Sequence, residues 1–316
     1  EISACLVGSE MCIRDSVFIG KESGGGTWVT AVSNYNTAVG TETMTGAMNG
    51  ALGNTGIGYG ALYELTEGDY NTVLGSWAGD AATTASGSVF LGSYAGGTVT
   101  TGNQNIAIGS GSMDGAATTG DNNIAIGAYA GDALTSGTNN TIMGSTAGSG
   151  LTTGTNNVAI GKNALGGGTD AGYNVAIGLN AAANASLTGN GYNTVVGTEV
   201  ATYLSSGTNN VLIGREAGKY LTTGTGNAIV GYQAGGMSAT FTGAYNAVMG
   251  FRAGYNLQSS TSQTVLIGYQ AGHAINSTDA NGTVAIGAQA GTDITTGQYN
   301  TAIGYEALYT ATELDK

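Results

Sequence analysis

The sequence predicts an all-β chain folded as a parallel β-solenoid, and three observations carry that prediction. Seventeen times a short apolar run ends in glycine, from Gly20 and Gly40 through to Gly287 and Gly304, at spacings of 17 to 20 residues. The residue before each of these glycines is always a large aliphatic, as in Met143 and Val196. The residue four before it is Asn in thirteen copies and Ser or Thr in the other four, and the residue three after it is Ala in thirteen. A period this short cannot build one globular core; each coil must bury its apolar side chains against the next.

Within a coil, Asn157-Val158-Ala159-Ile160-Gly161 shows the first element. Val158 and Ile160 are β-branched and the run is too short for a helical turn pattern, so it reads as a strand of four or five residues. Alternation sets Val158 and Ile160 on one face and Asn157, Ala159 and Gly161 on the other. The slot just before the glycine is never polar, which predicts that Ile108, Ile126, Ile160, Ile177, Ile213, Ile267, Ile286 and Ile303 point into the roll. The slot two before the glycine is apolar too, as at Ala107, Ile142, Val195 and Leu212, so both strand faces are expected to be buried.

The second half of the coil supplies a small inward Ala, such as Ala130 or Ala217, and then a turn such as Leu151-Thr152-Thr153-Gly154-Thr155-Asn156. Seventeen residues allow two short strands and two turns, a flat roll in which a large aliphatic opposes an alanine. So thin a roll cannot cover both its faces, and a long apolar stripe on a monomer calls for self-association. Stacking also superposes Asn105, Asn123, Asn140, Asn157, Asn174, Asn193 and Asn210, whose amides can hydrogen-bond along the axis, each donating to the next coil.

One segment stands outside this pattern. Leu6-Val7-Gly8-Ser9-Glu10-Met11-Cys12-Ile13-Arg14-Asp15 is the in-frame translation of CTC GTG GGC TCG GAG ATG TGT ATA AGA GAC, the end of a transposase adapter used in preparing sequencing libraries. Residues 1–16 are therefore expected to be adapter read-through from assembled environmental DNA, 17–309 a single repeat array and 310–316 a truncated end, the whole being a piece of a longer protein. Both cysteines, Cys5 and Cys12, fall in the adapter-like segment and carry no information on redox compartment.

Composition narrows function. The chain has 7 basic against 20 acidic residues, and without residues 1–16 the balance is 6 against 17. Phosphate backbones and anionic membrane surfaces bind through Lys and Arg, so neither nucleic acid nor membrane is an expected partner. No run approaches the roughly 20 apolar residues that span a bilayer. Pro is absent and Gly numbers 58, as a continuous ladder with a tight turn in every coil requires.

Catalysis needs titratable groups converging in one place. The one histidine, His273, occupies a variable slot filled elsewhere by Asp132, Lys219 or Thr292 and reads as solvated. The carboxylates look scattered, with no repeated pair on one face and no Asp series of the calcium-roll type. No catalytic, metal or cofactor residues are assigned, and the chain is not read as an enzyme. Aromatics are the remaining candidates for surface contact: Tyr59, Trp77, Tyr94, Tyr129, Tyr232, Phe251, Tyr269 and Tyr305 follow the glycine by one or two residues. A second set, Tyr35, Tyr70, Tyr173, Tyr192, Tyr245 and Tyr299, precedes the Asn. Rows of this kind stack on sugar rings or on their neighbours in adjacent coils. A Thr face that binds ice ranks last, because Thr37, Thr55 and Thr72 give way to Ile106, Ile124 and Val158 in the same slot.

The wording of the repeat, as in Asn300-Thr301-Ala302-Ile303-Gly304-Tyr305-Glu306-Ala307-Leu308 and Asn246-Ala247-Val248-Met249-Gly250-Phe251-Arg252-Ala253-Gly254, resembles repeats of phage tail-fibre proteins and of trimeric autotransporter adhesin heads. The resemblance covers nearly all of residues 17–309. It implies a left-handed β-roll assembled as a homotrimer, a structural and attachment role on a virion tail or cell surface, and a host-cell glycan or protein as partner. Adhesin-head repeats are shorter, which favours the tail-fibre shaft and leaves the adhesin head as the alternative.

Overall fold

The computed structural model describes residues 16–26, 33–237, 240–258, 260–275, 280–295 and 297–310. The adapter-like stretch up to residue 15, with Cys5 and Cys12, and the end at 311–316 lie outside the described residues. The chain falls into two compact units, Glu1–Thr155 and Asn156–Lys316, and each is a parallel β-solenoid.

In the first unit the strands are β1 (Val17–Ile19), β2 (Thr37–Val39), β3 (Thr55–Ile57), β4 (Thr72–Leu74), β5 (Val89–Leu91), β6 (Ile106–Ile108), β7 (Ile124–Ile126) and β8 (Thr141–Met143). They pair in chain order, parallel and in register, so that Ile106 faces Ile124 and Ile108 faces Ile126. In the second unit the strands are β9 (Val158–Ile160), β10 (Val175–Ile177), β11 (Thr194–Val196), β12 (Val211–Ile213), β13 (Ala228–Val230), β14 (Ala247–Met249), β15 (Val265–Ile267), β16 (Val284–Ile286) and β17 (Thr301–Ile303). These too pair in order and in register.

Each strand stops at its glycine for a backbone reason. Gly75 sits at φ +152° and Gly197 at φ +138°, a region closed to other residues. A Cβ on Gly75 would also land on the carbonyl oxygen of Gly92 in the next coil.

The strand register is one residue off the expected one. From β2 to β17 only the middle residue of each strand is buried, as at Phe90, Ala107, Ile142, Ala159 and Leu212, and in β1 Phe18 is half-buried. Ile108, Ile126, Ile160, Ile177 and Ile286 are half-buried, and Ile213, Ile267 and Ile303 are exposed, Ile303 at 66%. The buried Asn explains why. Alternation from an inward Asn brings the residue two before the glycine inward as well and turns the never-polar slot outward. Polarity misled because the outer sheet face is also aliphatic.

The expected second strand is absent among the described residues. In its place is a corner whose backbone alternates direction. The residues two and four after the glycine have φ near +55°, as at Trp77, Tyr94, Leu62 and Leu165, and so does the residue before the Asn, as at Tyr70. The left-handed conformation reverses the N–H direction. Trp77 N donates back to Tyr59 O at 2.8 Å, while Leu62 N donates forward to Ala78 O at 3.0 Å. Coils are thus bonded on this side without a strand.

The core has three inward slots per coil besides the Asn: mid-strand, the pair three and four after the glycine, and the residue seven after it. That last slot, with Leu134, Leu151, Leu204, Leu221 and Ile275, is fully buried and was read from sequence as part of a turn. Sizes trade within a coil. Small mid-strand Ala38, Gly56 and Ala107 accompany Met44, Leu62 and Met113, whereas Phe90, Ile142 and Leu212 accompany Gly96, Gly148 and Gly218. A Cβ on Gly148 would meet the Ile142 side chain at 3.0 Å. In these coils a large residue in one slot is matched by a small one in the other, as close packing demands, whereas Ala125 with Gly131 and Ala285 with Gly291 are small in both.

Candidate functional site

The interior asparagines form one hydrogen-bonded column in each unit. In the first, Asn140 Nδ2 donates to Asn123 Oδ1 at 3.0 Å and to Gly154 O at 2.9 Å. Its backbone N–H shares the same Oδ1 at 3.1 Å, and Asn123 bonds to Asn105 in the same way. In the second, Asn174, Asn193, Asn210, Asn227 and Asn246 repeat the pattern from Asn157 onward. Where Asn stands between two others, as Asn123 and Asn210 do, the amide uses both N–H groups and both acceptor sites, which is why a polar side chain can be fully buried here. Donation from amide to amide runs to the preceding coil, opposite to the expected direction, while the second N–H reaches forward to a carbonyl, as from Asn140 to Gly154 O. The strand N–H groups already point to the next coil, as Thr55 N to Asn71 O does, and the Asn N–H points back. The amides of Asn123 and Asn210 are thus spent on their neighbours and on backbone carbonyls.

The eight candidate aromatics do not share one row. Tyr59, Tyr232, Phe251, Tyr269 and Tyr305 directly follow the glycine, whereas Trp77, Tyr94 and Tyr129 sit one residue further on in the left-handed slot. In the first unit Tyr59 meets Trp77 edge to face, centroids 4.9 Å apart, and Tyr129 lies over Gly111 of the preceding coil. In the second, Tyr232, Phe251 and Tyr269 stack at 5.2 and 5.5 Å, with Arg215 over Tyr232 and Arg252 over Phe251. Stacking along the axis occupies the ring faces, so Phe251 offers only its edge outward. From the second set, Tyr173 stacks on Tyr192 at 5.1 Å, while Tyr70 and Tyr245 cover Gly53 and Gly226 of the coil before.

Two titratable groupings went unread. Asp80, Asp114 and Asp132 all stand five residues after a repeat glycine, with Gly97 in the same slot between the first two. A Cβ on Gly97 would meet Asp80 Oδ1 at 3.0 Å and would also crowd Asp114 Oδ1. The carboxylates are therefore not all scattered: these three share one slot. Burial pushes Asp80 up to about 6, helped by the charges of Asp114 and Glu64. Burial also raises Asp114, with Asp132 adding to it, and raises Asp132. In the second unit the same slot holds Lys219 and His273. Lys219 pairs with Glu199 at 2.7 Å and Glu216 at 3.3 Å. His273 is half-buried and stacked on Tyr255 at 5.2 Å rather than free in solvent. Burial and Arg252 lower its pKa.

A polar column runs beside this slot in the second unit. Asn163 donates to Asn180 at 3.1 Å, Gln233 to Glu216 at 2.8 Å and Arg252 to Gln233 at 2.9 Å. Next to it lies a depression of about 260 Å3 bordered by Asn163, Asn180, Ala183, Asn184, Glu199, Thr202, Tyr203 and Lys219. It opens where the slot five after the glycine shrinks to Gly166 and Ala183 before growing again at Thr202 and Lys219. That size dip was the sequence signal for it. Among the described residues no His, Cys, Asp or Glu cluster is placed to hold a metal ion.

Compared with known proteins, the chain matches no family model, no curated protein and no solved structure.

Proposed function

We propose that the chain is a non-enzymatic shaft segment that assembles side by side with copies of itself to form an attachment fibre. The outer sheet face carries this reading. Neither outward position of any strand in either unit holds a charged residue, and only Thr interrupts Val, Ile, Leu, Met and Ala. Ile57, Leu74, Leu91, Met143, Ile213 and Met249 are exposed there. Three residues at ~3.3 Å across eight strands at ~4.8 Å give roughly 400 Å2 of such face per unit. Each unit's face alone is about half of the ~800 Å2 that one partner contributes to a standard interface. A solvent-facing sheet would ordinarily alternate apolar with polar residues.

The repeat resemblance supports three copies, a place on a virion tail or, as the alternative, a bacterial surface, and a host-cell glycan or protein as the attachment partner. The acidic balance disfavours nucleic acid. Sedimentation equilibrium of the purified chain should give a homo-oligomer, three-fold for the tail-fibre reading. The paired substitution Ile160→Asp and Ile267→Asp should yield a folded monomer by circular dichroism, whereas Ala159→Asp should disrupt the stack by burying an unpaired charge. A wild-type chain that stays monomeric at tens of micromolar would remove the proposal.

A further inference from the structure

We propose that the depression beside Tyr203 in the second unit is a saccharide subsite that takes a single neutral pyranose residue. It deepens the attachment reading by giving it a place and a ligand class, and it does not require self-association, because every residue used belongs to one unit.

The ring comes first. Tyr203 is 42% exposed and stacks on Tyr220 of the following coil at 5.2 Å, rings 14° apart. Its other face turns toward the preceding coil, where the same slot holds Asn184 and the neighbouring slot holds Ala183. Both side chains are smaller than a ring, and Tyr203, which lines the depression, remains 42% exposed. By contrast, Phe251 is stacked on both Tyr232 and Tyr269, and Tyr232 has Arg215 over its ring besides Phe251.

Around that face the polar groups are mixed in the sense a diol needs. Asn180 has its oxygen engaged by Asn163, which leaves its amide N–H groups to donate. Glu199 gives one carboxylate oxygen to Lys219, and the other can accept. Asn184 is exposed and offers both kinds of group. Adjacent hydroxyls donate and accept at once, and a pyranose also has an apolar C–H face that suits Tyr203. Lys219 is already neutralised by Glu199 and Glu216, so the depression lacks the free cation an anion would want. At about 260 Å3 it falls below the ~300–1,000 Å3 of drug-sized pockets, which fits one sugar residue and not a larger buried ligand.

Saturation-transfer NMR on the full chain tests this, with glucose, galactose and mannose as probes and glycerol as a polyol without a ring. At least one hexose should receive saturation on its ring protons, and glycerol should receive much less. Tyr203→Phe should keep the affinity, and Tyr203→Ala should weaken it about tenfold, the equivalent of one aromatic stacking contact. Tyr63→Ala in the other unit, an exposed tyrosine outside both candidate sets, serves as a control and should change nothing. Transfer to none of the hexoses, equal transfer to glycerol, or unchanged binding in Tyr203→Ala would each overturn the subsite. A monomeric chain that still binds hexose would sink the shaft assembly and leave the subsite standing.

Discussion

The two units are alike inside and unlike outside. Both stack an Asn column, a mid-strand apolar slot and a Leu-type slot in the same positions. The slot two after the glycine, by contrast, holds Glu22, Glu42, Trp77, Tyr94 and Tyr129 in the first unit and Asn163, Asn180, Glu199, Glu216, Gln233 and Arg252 in the second. Charge divides the same way: residues 1–155 carry two basic against twelve acidic side chains, and 156–316 carry five against eight. The interior is fixed because each coil must satisfy the next one's buried amides and fill its volume. The corner has no such constraint, since its bonds are made by the backbone, and side chains there can vary toward binding.

The sharpest way to break this comparison is inside. Asn123→Ala and Asn210→Ala each strip a neighbouring amide, a neighbouring N–H and a glycine carbonyl of partners. At ~1–3 kcal/mol for each buried group left unmet, both should cost about 3–5 kcal/mol. Hydrogen exchange read separately in each unit should show equal losses; a cost confined to one unit would mean that the interiors are not equivalent. Gly75→Ala and Gly197→Ala come next, at roughly 2–3 kcal/mol each, from strain at positive φ and crowding of the next coil's carbonyl. Denaturant titration with the same unit-resolved readout checks them.

Surface changes should separate the units. Arg252→Met removes contacts to Phe251 and Tyr255 and the bond to Gln233, and should cost the second unit about 0.5–1 kcal/mol. The first unit should not respond.

The smallest effect is a difference in pH response, because the groups are partly open to solvent screening. Asp80 has its pKa raised in the fold to about 6 from an unfolded value near 3.8. Between those values the folded state binds the extra proton, so stability falls as pH rises and is recovered on acidification. Asp114 and Asp132 act in the same direction. His273 acts oppositely: its folded pKa lies below 6.5, so the unfolded state binds more protons and stability falls as pH drops through that window. Lowering pH from 7 to 5 should therefore slow exchange in the coils around Asp80 and hasten it around His273. Asp80→Asn with Asp114→Asn should flatten the first response, and a parallel response in both units would refute the assignment.

Much of this was legible in the sequence. The coil period, the strand positions and the superposed asparagines follow from spacing alone, because stacking forces equivalent residues together. What misled was the use of polarity as a guide to the inside. Asn157 is buried and Ile160 half-exposed, since the amide is saturated by its neighbours while the aliphatic lies on an outer face of the same character. The second strand was an inference from length, and nothing in the residues at Trp77 or Leu62 announces a left-handed backbone that glycine would ordinarily supply. Leu134 and Leu151 were hidden by the Thr and Gly that follow them. The depression beside Tyr203 depends on side-chain size across several coils, a vertical comparison that reading along the chain does not make.

The like-with-like register has a genetic consequence. Removing Gly214 to Val230 would join Ile213 to Gly231 and take out one 17-residue period. Asn210 would then stand under Asn246 and Leu212 under Val248, the same kinds of neighbour each had before. Near-identical DNA repeats recombine out of alignment, and such events add or delete whole periods. A chain built this way can change its length in heredity by steps of one coil without inventing a new packing solution, and its number of coils is free to be set by reach rather than by folding.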